Sequence, residues 1–149
     1  MPGETPVQYA RRLALEKAAA ALPRPGEIVL GADTVVVVDD QILEKPADAA
    51  EARAMLRLLS GREHAVITGI CLVHDGGSVF DHASTQVRFA PLSEAEIEEY
   101  AASGEPMGKA GAYAIQGLAS KFVEHIDGCY FNVMGLPISL MYRHWKALT

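Results

Sequence analysis

Apolar residues recur at helical spacing in the first stretch of the chain, where Val7, Ala10, Leu13, Ala14, Ala18 and Ala21 form one stripe. Thr5 as N-cap and Pro6 at the first helical position open this helix, predicted over Val7 to Leu22 before Pro23-Arg24-Pro25-Gly26 ends it. The pattern then changes to a β-branched run, Ile28 to Asp39, broken by Gly31-Ala32-Asp33-Thr34 and continued by Val35 to Val38, which read as a strand buried on both faces. Asp39-Asp40 is a two-residue turn into Gln41 to Glu44. In that hairpin Val38 opposes Gln41, Val36 opposes Leu43 and Thr34 opposes Lys45, with facing Cβ atoms about 5 Å apart. Lys45 is thereby expected beside the Gly31–Thr34 segment. Strict alternation points Asp33 to the face opposite Lys45, so those two converge only if the chain bends near Gly31.

A second helix is predicted over Ala49 to Leu59, with Asp48 as N-cap, Glu51 three residues on, a stripe of Ala52, Met55, Leu56 and Leu59, and Gly61 closing it. Glu63 to His74 and Ser78 to Phe89 read as a long hairpin turning at Asp75-Gly76-Gly77. A third helix, Glu94 to Ser103, carries the capping box Ser93…Glu96 and stops at Gly104. A glycine-rich segment follows, then a strand from Phe122 to Asp127 and a last helix from about Pro137 to Leu148. Helices alternating with hairpins and buried strands indicate one α/β domain over residues 1–149, with a mixed sheet covered on both faces.

Composition narrows the function classes. The 149 residues carry 13 Lys+Arg against 19 Asp+Glu, a net charge of -6, with no Lys/Arg block to displace counterions from a nucleic-acid polymer. A small polyanion held by a few placed cations stays compatible with that balance. Two cysteines, Cys71 and Cys129, are too few for a disulfide framework. No apolar run reaches the ~18 residues of a membrane span, and Met-Pro-Gly-Glu-Thr-Pro lacks the regions of a signal peptide, so a cytoplasmic protein is expected. The five histidines show no zinc-binding spacing. Phe131, Met134, Met141 and Trp145, near the last helix, read as core.

Asp33 is the first candidate for chemistry, because a carboxylate inside an apolar strand is costly unless paired, hydrogen-bonded or metal-bound. The alternative is a structural aspartate accepting backbone N–H bonds at a strand break. Lys17 projects from the margin of the first helix's core side, either into a cleft or with its stem along the core and its head in water. Gly104 to Gly117 resembles a phosphate loop but has three residues where Walker A needs four, and Ala110 where it needs a hydroxyl. Its N–H groups could still meet an anion, with Lys109 as a point charge, or its glycines could serve tight packing. Gln116 can read a base edge or cap backbone.

Three segments in order are distinctive: Gly31-Ala32-Asp33-Thr34 with Val35 to Val38, Leu43-Glu44-Lys45-Pro46, and Lys109-Ala110-Gly111-Ala112-Tyr113-Ala114-Ile115-Gln116-Gly117. Together with Leu13 to Ala18, Leu59-Ser60-Gly61, Thr68-Gly69 and Asn132 to Pro137, they resemble the Maf family of nucleoside triphosphate pyrophosphatases. The resemblance implies an inosine-triphosphatase-like α/β fold and hydrolysis of a nucleoside triphosphate to monophosphate and pyrophosphate with Mg²⁺ or Mn²⁺. The Lys-Ala-Gly-Ala-Tyr-x-Ile-Gln-Gly form is similar to the branch acting on dTTP and UTP. By motif, Asp33 would be the catalytic acid-base residue or hold the metal. Thr34 and Gln116 would help set base preference, and Lys17, Lys45 and Lys109 would belong to the phosphate site. The family's opening strand, its Ser-x-Ser-Pro-Arg-Arg motif and the helix after it have no counterpart here. That departure leaves an open sheet edge suited to homodimerisation and a competing reading as a noncatalytic nucleotide-binding or interaction module.

Overall fold

The structure, a computed structural model, describes residues 3–21 and 24–149. In chain order the elements are α1 (Pro6–Ala19), β1 (Val29–Val38), β2 (Gln41–Leu43), α2 (Ala49–Leu59), β3 (Glu63–His74), β4 (Gly77–Phe89), α3 (Glu94–Ala102), 3-10 turns at Ala110–Ala112 and Leu118–Phe122, β5 (Val123–Asp127), α4 (Tyr130–Met134) and α5 (Ile138–Leu148). The strands form one sheet in the order β2-β1-β3-β4-β5. The expected α/β architecture is therefore present. Both ladders resolved in register, β1 with β2 and β4 with β5, are antiparallel. Two compact units divide the chain: Met1–Thr34, Ile67–Ser84 and Cys129–Thr149 form one, and Val35–Val66 with Thr85–Gly128 the other.

In the first unit, α1 starts where its caps direct. Thr5 Oγ1 accepts from Gln8 N at 3.1 Å, and Gln8 Oε1 accepts from Thr5 N at 2.9 Å, so each satisfies an otherwise orphaned donor. The helix ends at Ala19 with Ala20 and Ala21 in a turn, short of the expected end at Leu22, which with Pro23 lies outside the described residues. Ala10, Ala14 and Ala18 are fully buried. Their small side chains let the helix lie almost on the strands, because the residues beneath are glycines. A Cβ on Gly31 would stand 2.1 Å from the Ala14 carbonyl oxygen, and one on Gly69 would stand 2.8 Å from that of Ala10. Gly31 thus marks a close helix–strand approach within a continuous strand, not the interruption its sequence context suggests. Cys71 joins Ala14 and Ala18 in the core against Val29, Val73 and Phe80.

The last helix corrects an expectation. Phe131, Met134 and Trp145 are exposed, and α5 has no fully buried residue. Ile138, Met141, Tyr142 and Trp145 keep the predicted helical spacing, but Leu30 with Met141, Tyr142 and Trp145 border an open cavity of about 340 Å³. A polar contact anchors the helix: His144 Nε2 and Asp81 Oδ2 are 2.7 Å apart, tying α5 to β4.

In the second unit the hairpin register is as expected at Val36–Leu43, Val37–Ile42 and Val38–Gln41. Asp39 and Asp40 have φ of 50° and 60°, the type I′ geometry that matches strand twist. Asp39 also pairs with Arg62. β2 ends at Leu43, so the ladder stops short of the expected Thr34–Lys45 pair. α2 buries Ala52, Met55, Leu56 and Leu59, the stripe read from the sequence, and Asp48 caps it by accepting from Glu51 N at 2.8 Å. Ser93 and Glu96 form the predicted capping box of α3. Behind these helices His64, Phe89, Tyr113, Tyr100 and Phe122 pack mainly edge to face, with ring centroids 4.8–6.3 Å apart.

Candidate active site

Gly31 and Asp33 are two residues apart on a strand and so share a face, the one on which α1 lies. Lys17 precedes Ala18, whose backbone nitrogen would sit 2.7 Å from a Cβ on Gly31. The close approach therefore delivers the lysine to the carboxylate: Lys17 Nζ donates to Asp33 Oδ1 at 2.7 Å. Asp33 keeps 14% of its side-chain exposure and Lys17 54%. Asp33 is thus paired by a side chain and is not consumed as a backbone acceptor at a strand break. Lys17 neither ignores the carboxylate nor buries its head, and solvent still reaches the pair.

Thr34 points to the opposite face. Its hydroxyl lies 2.8 Å from that of Thr68, which donates to the Asn132 carbonyl at 3.3 Å, and the Gly135 carbonyl lies 3.4 Å from Thr34. With the Thr68 proton on Asn132, Thr34 has one proton for two acceptors, and the shorter contact favours Thr68. These bonds seat α4 and the turn after it on the strands. Buried Asn132 contributes too, its side-chain Nδ2 donating to the Ala83 carbonyl at 3.3 Å. Thr68 and Gly135 belong to the recognised segments, but their contacts with Thr34 span 34 and 101 residues of chain and have no local signal.

In the second unit Lys45, Lys109 and Gln116 are all exposed. Lys45 lines a cavity of about 420 Å³ with Gln41, Glu44, Glu51 and Met55. Gly111 N donates to the Glu44 carbonyl at 3.1 Å, so the loops carrying Lys45 and Lys109 are tied by a backbone bond one residue from the first lysine and two from the second. Gly111 has φ +70°, and a Cβ there would meet the Val36 side chain at 2.7 Å; Ala112 follows at φ +67° while fully buried. An alanine held left-handed costs roughly 1–2 kcal/mol, so the packing around it over-determines this turn. Gly111 serves tight packing, as does Gly117 against Glu105, whereas Gly104 and Gly108 turn the chain at φ +79° and +80° with open space beside them. The N–H groups of Lys109, Gly111 and Ala112 all go to chain carbonyls, which removes them as an anion cradle and leaves the exposed Lys109 side chain as the cation of this loop.

Two residues that sequence reading passed over, Tyr100 and Glu105, hold this loop. Tyr100 sits on the buried face of α3 and reads as core from its spacing. Its hydroxyl donates to Glu105 Oε2 at 2.5 Å and accepts from Ala114 N at 3.1 Å, while Glu105 Oε1 accepts from Leu118 N at 3.0 Å. Burial alone would raise the Glu105 carboxyl, but the Tyr100 hydroxyl and the Leu118 and Ala119 N–H groups outweigh it and lower the carboxyl below the ordinary value. Burial first, then Glu105, pushes the Tyr100 phenol up, so it stays a donor.

Among the described residues no group of three or more His, Cys, Asp or Glu side chains could hold a metal ion. A magnesium ion needs no such cage: it commonly keeps several waters and binds through one or two carboxylates plus substrate phosphates. Asp33, with one oxygen on Lys17 and the other turned from that bond, fits this sparse donor set.

The fold is that of an α/β protein, with a lysine-paired carboxylate on β1 in the first unit and exposed lysines on tied loops in the second. A model of the family described as Maf-like protein matches residues 2–148, and the chain belongs to that family. It is 52% identical over 142 residues to a dTTP/UTP pyrophosphatase of Koribacter versatilis, covering 95% of this chain and 74% of the relative. A dTTP/UTP pyrophosphatase of Symbiobacterium thermophilum is 54% identical over 136 residues, 91% of this chain and 70% of its own length. That of Thermococcus gammatolerans is 48% identical over 139 residues, 93% and 75% respectively.

Proposed function

We propose that this protein hydrolyses dTTP and UTP to the nucleoside monophosphate and pyrophosphate. The observation that carries the reading is the Lys17–Asp33 pair at 2.7 Å, a strand carboxylate held in a fixed direction while still open to solvent. The names of relatives about 50% identical over most of the chain support the same substrates.

Cleavage at the α-phosphorus needs an oriented water and offset phosphate charge, with little covalent work by the protein. Lys17 fixes Asp33 Oδ1, and Oδ2 takes the proton of the attacking water as its oxygen bonds to the α-phosphorus. The α–β bridging oxygen leaves with the β-phosphate, so the products are the monophosphate and pyrophosphate. General-base help of this kind contributes about 10²–10⁴-fold. A divalent cation, Mg²⁺ or Mn²⁺, arriving with the triphosphate would supply further charge neutralisation, and Asp33 would hold it as the alternative to serving as the base. Lys45 and Lys109 bind phosphate oxygens as point charges. Gln116 reads the base edge, and Thr34 bears on base preference through the α4 segment it anchors. The protein acts in the cytoplasm, where its free nucleotide substrates are found.

The test is product analysis by ion exchange after incubation with dTTP or UTP and Mg²⁺. Monophosphate and pyrophosphate in equal amounts are expected. Diphosphate with orthophosphate would overturn the assigned bond, and saturable binding without turnover would select the noncatalytic alternative.

A further inference from the structure

Gln116 occupies the third position of a tight turn, closed by Gly117 N donating to the Ala114 carbonyl at 3.1 Å. Ile115 before it is buried and Gln116 itself is exposed. Both flanks of the turn are clamped from one place. Tyr100 Oη accepts from Ala114 N on the entering side, and Glu105 Oε1 accepts from Leu118 N on the leaving side. The two clamps are joined, since Tyr100 Oη donates to Glu105 Oε2.

The clamp is itself built. Gly104 turns the chain back after α3 with φ +79°. Ser103 Oγ donates to the Tyr100 carbonyl at 2.6 Å and accepts from Glu105 N at 3.2 Å, which fixes Glu105 relative to the helix end. Gly117 is shaped to receive the carboxylate: a Cβ there would lie 2.1 Å from Glu105 Oε1. A carboxylate supporting two segments in this way is more than a solvated acid on a loop.

We infer that Tyr100 and Glu105 are positioning residues for base selection, acting through Gln116 by holding its turn at a fixed place and direction. The inference rests on the proposed nucleotide hydrolysis and adds the residues that make its base reading selective. The physical reason lies in the glutamine amide, which is both donor and acceptor and would meet either a thymine or a cytosine edge if its turn could shift. Thymine and uracil offer O4 as acceptor and N3–H as donor, and cytosine offers the reverse. Discrimination between them therefore depends on the position and angle at which the amide meets the base edge, which a pre-clamped turn sets without an ordering cost at binding.

The experiment measures kcat and KM for dTTP and dCTP in the whole protein with Mg²⁺, for wild type, Tyr100→Phe, Glu105→Ala, Glu105→Gln and Gln116→Ala, and for the double variant Glu105→Ala/Gln116→Ala. Tyr100→Phe and Glu105→Ala should lower the dTTP:dCTP ratio of kcat/KM by about tenfold or more, chiefly through KM for dTTP. Glu105→Gln keeps an acceptor for Leu118 N and should hold the ratio within about threefold of wild type. In the Gln116→Ala background, Glu105→Ala should change the ratio no further, because both act on one element. If Glu105→Ala does not fold, Tyr100→Phe, which deletes a single oxygen, carries the same test. An unchanged ratio in folded Tyr100→Phe and Glu105→Ala overturns the inference, as does additivity with Gln116→Ala or a wild type that turns over both nucleotides equally. A wild type inactive on every nucleoside triphosphate defeats the proposed hydrolysis itself, and the inference with it.

Discussion

Gly31→Ala tests the close approach that brings Lys17 to Asp33. The new Cβ would stand 2.1 Å from the Ala14 carbonyl oxygen, 2.7 Å from Ala18 N and 2.9 Å from Ala18 Cβ, and real Cβ contacts hardly ever fall below 3.0 Å. Two of those atoms are helix backbone, so no flexible side chain can swing away. The strand and α1 must separate by roughly 1 Å, which places the cost at the upper end of overpacking, about 3 kcal/mol. For a domain of this size that corresponds to a Tm lower by about 6–12 °C. The same displacement pulls Lys17 from Asp33, and misplacement on that scale lowers kcat/KM by up to about 10²-fold. Gly76→Ala is the control, because its Cβ would meet only the movable His74 ring, at 3.1 Å or more. Thermal and urea unfolding followed by circular dichroism reads the stability, and pyrophosphate release reads the chemistry. A Gly31→Ala protein within about 0.5 kcal/mol of wild type, the ordinary scatter of surface changes, would refute the close packing and with it the account of how Lys17 is aimed.

Lys17→Met keeps the side-chain stem and removes the charge. Because Lys17 is half exposed, stability should move by no more than about 1 kcal/mol, while kcat/KM for dTTP falls by tens of fold as Asp33 loses its tether. A fully active Lys17→Met would remove Lys17 from the site. His64 gives a pH dependence: burial pulls it down from 6.5 to about 4, so the unfolded chain binds the extra proton first as pH falls. Stability from this group is whole above pH 6.5 and is lost as pH drops toward 4, up to about 3 kcal/mol. Urea midpoints across that window should flatten in His64→Phe, and an equally steep profile in that variant would assign the dependence to other groups. Gly117→Ala drives a Cβ into Glu105 Oε1 and should raise amide hydrogen exchange at Ala114 and Leu118, which unchanged protection would contradict.

Local signals in the sequence are read correctly where the interaction is local. The Asp48 cap, the Ser93 box, the Asp39-Asp40 turn and the α2 stripe each depend on neighbours within a few residues, and each appears in the structure as expected. Gly31 shows the limit. Its setting in a strand suggests a bend, whereas its role is to admit a helix 13 to 17 residues earlier in the chain, a contact that strand spacing does not encode. The α5 stripe shows another: spacing tells which side of a helix is apolar, not whether anything lies over it. At the site, Asp33 stands out because its charge conflicts with its strand. Tyr100 and Glu105 do not, since a tyrosine on a buried helical face and a glutamate in a loop are each ordinary until Gly104 folds one onto the other.

Steady-state pyrophosphate release from dTTP by Asp33→Asn, set beside its melting curve, bears most directly on the role given to this carboxylate. The substitution keeps an oxygen to accept from Lys17 but cannot take a proton from water. The expected result is kcat lower by about 10²–10⁴-fold with KM and Tm close to wild type. Turnover within a few fold of wild type in the folded variant would contradict it.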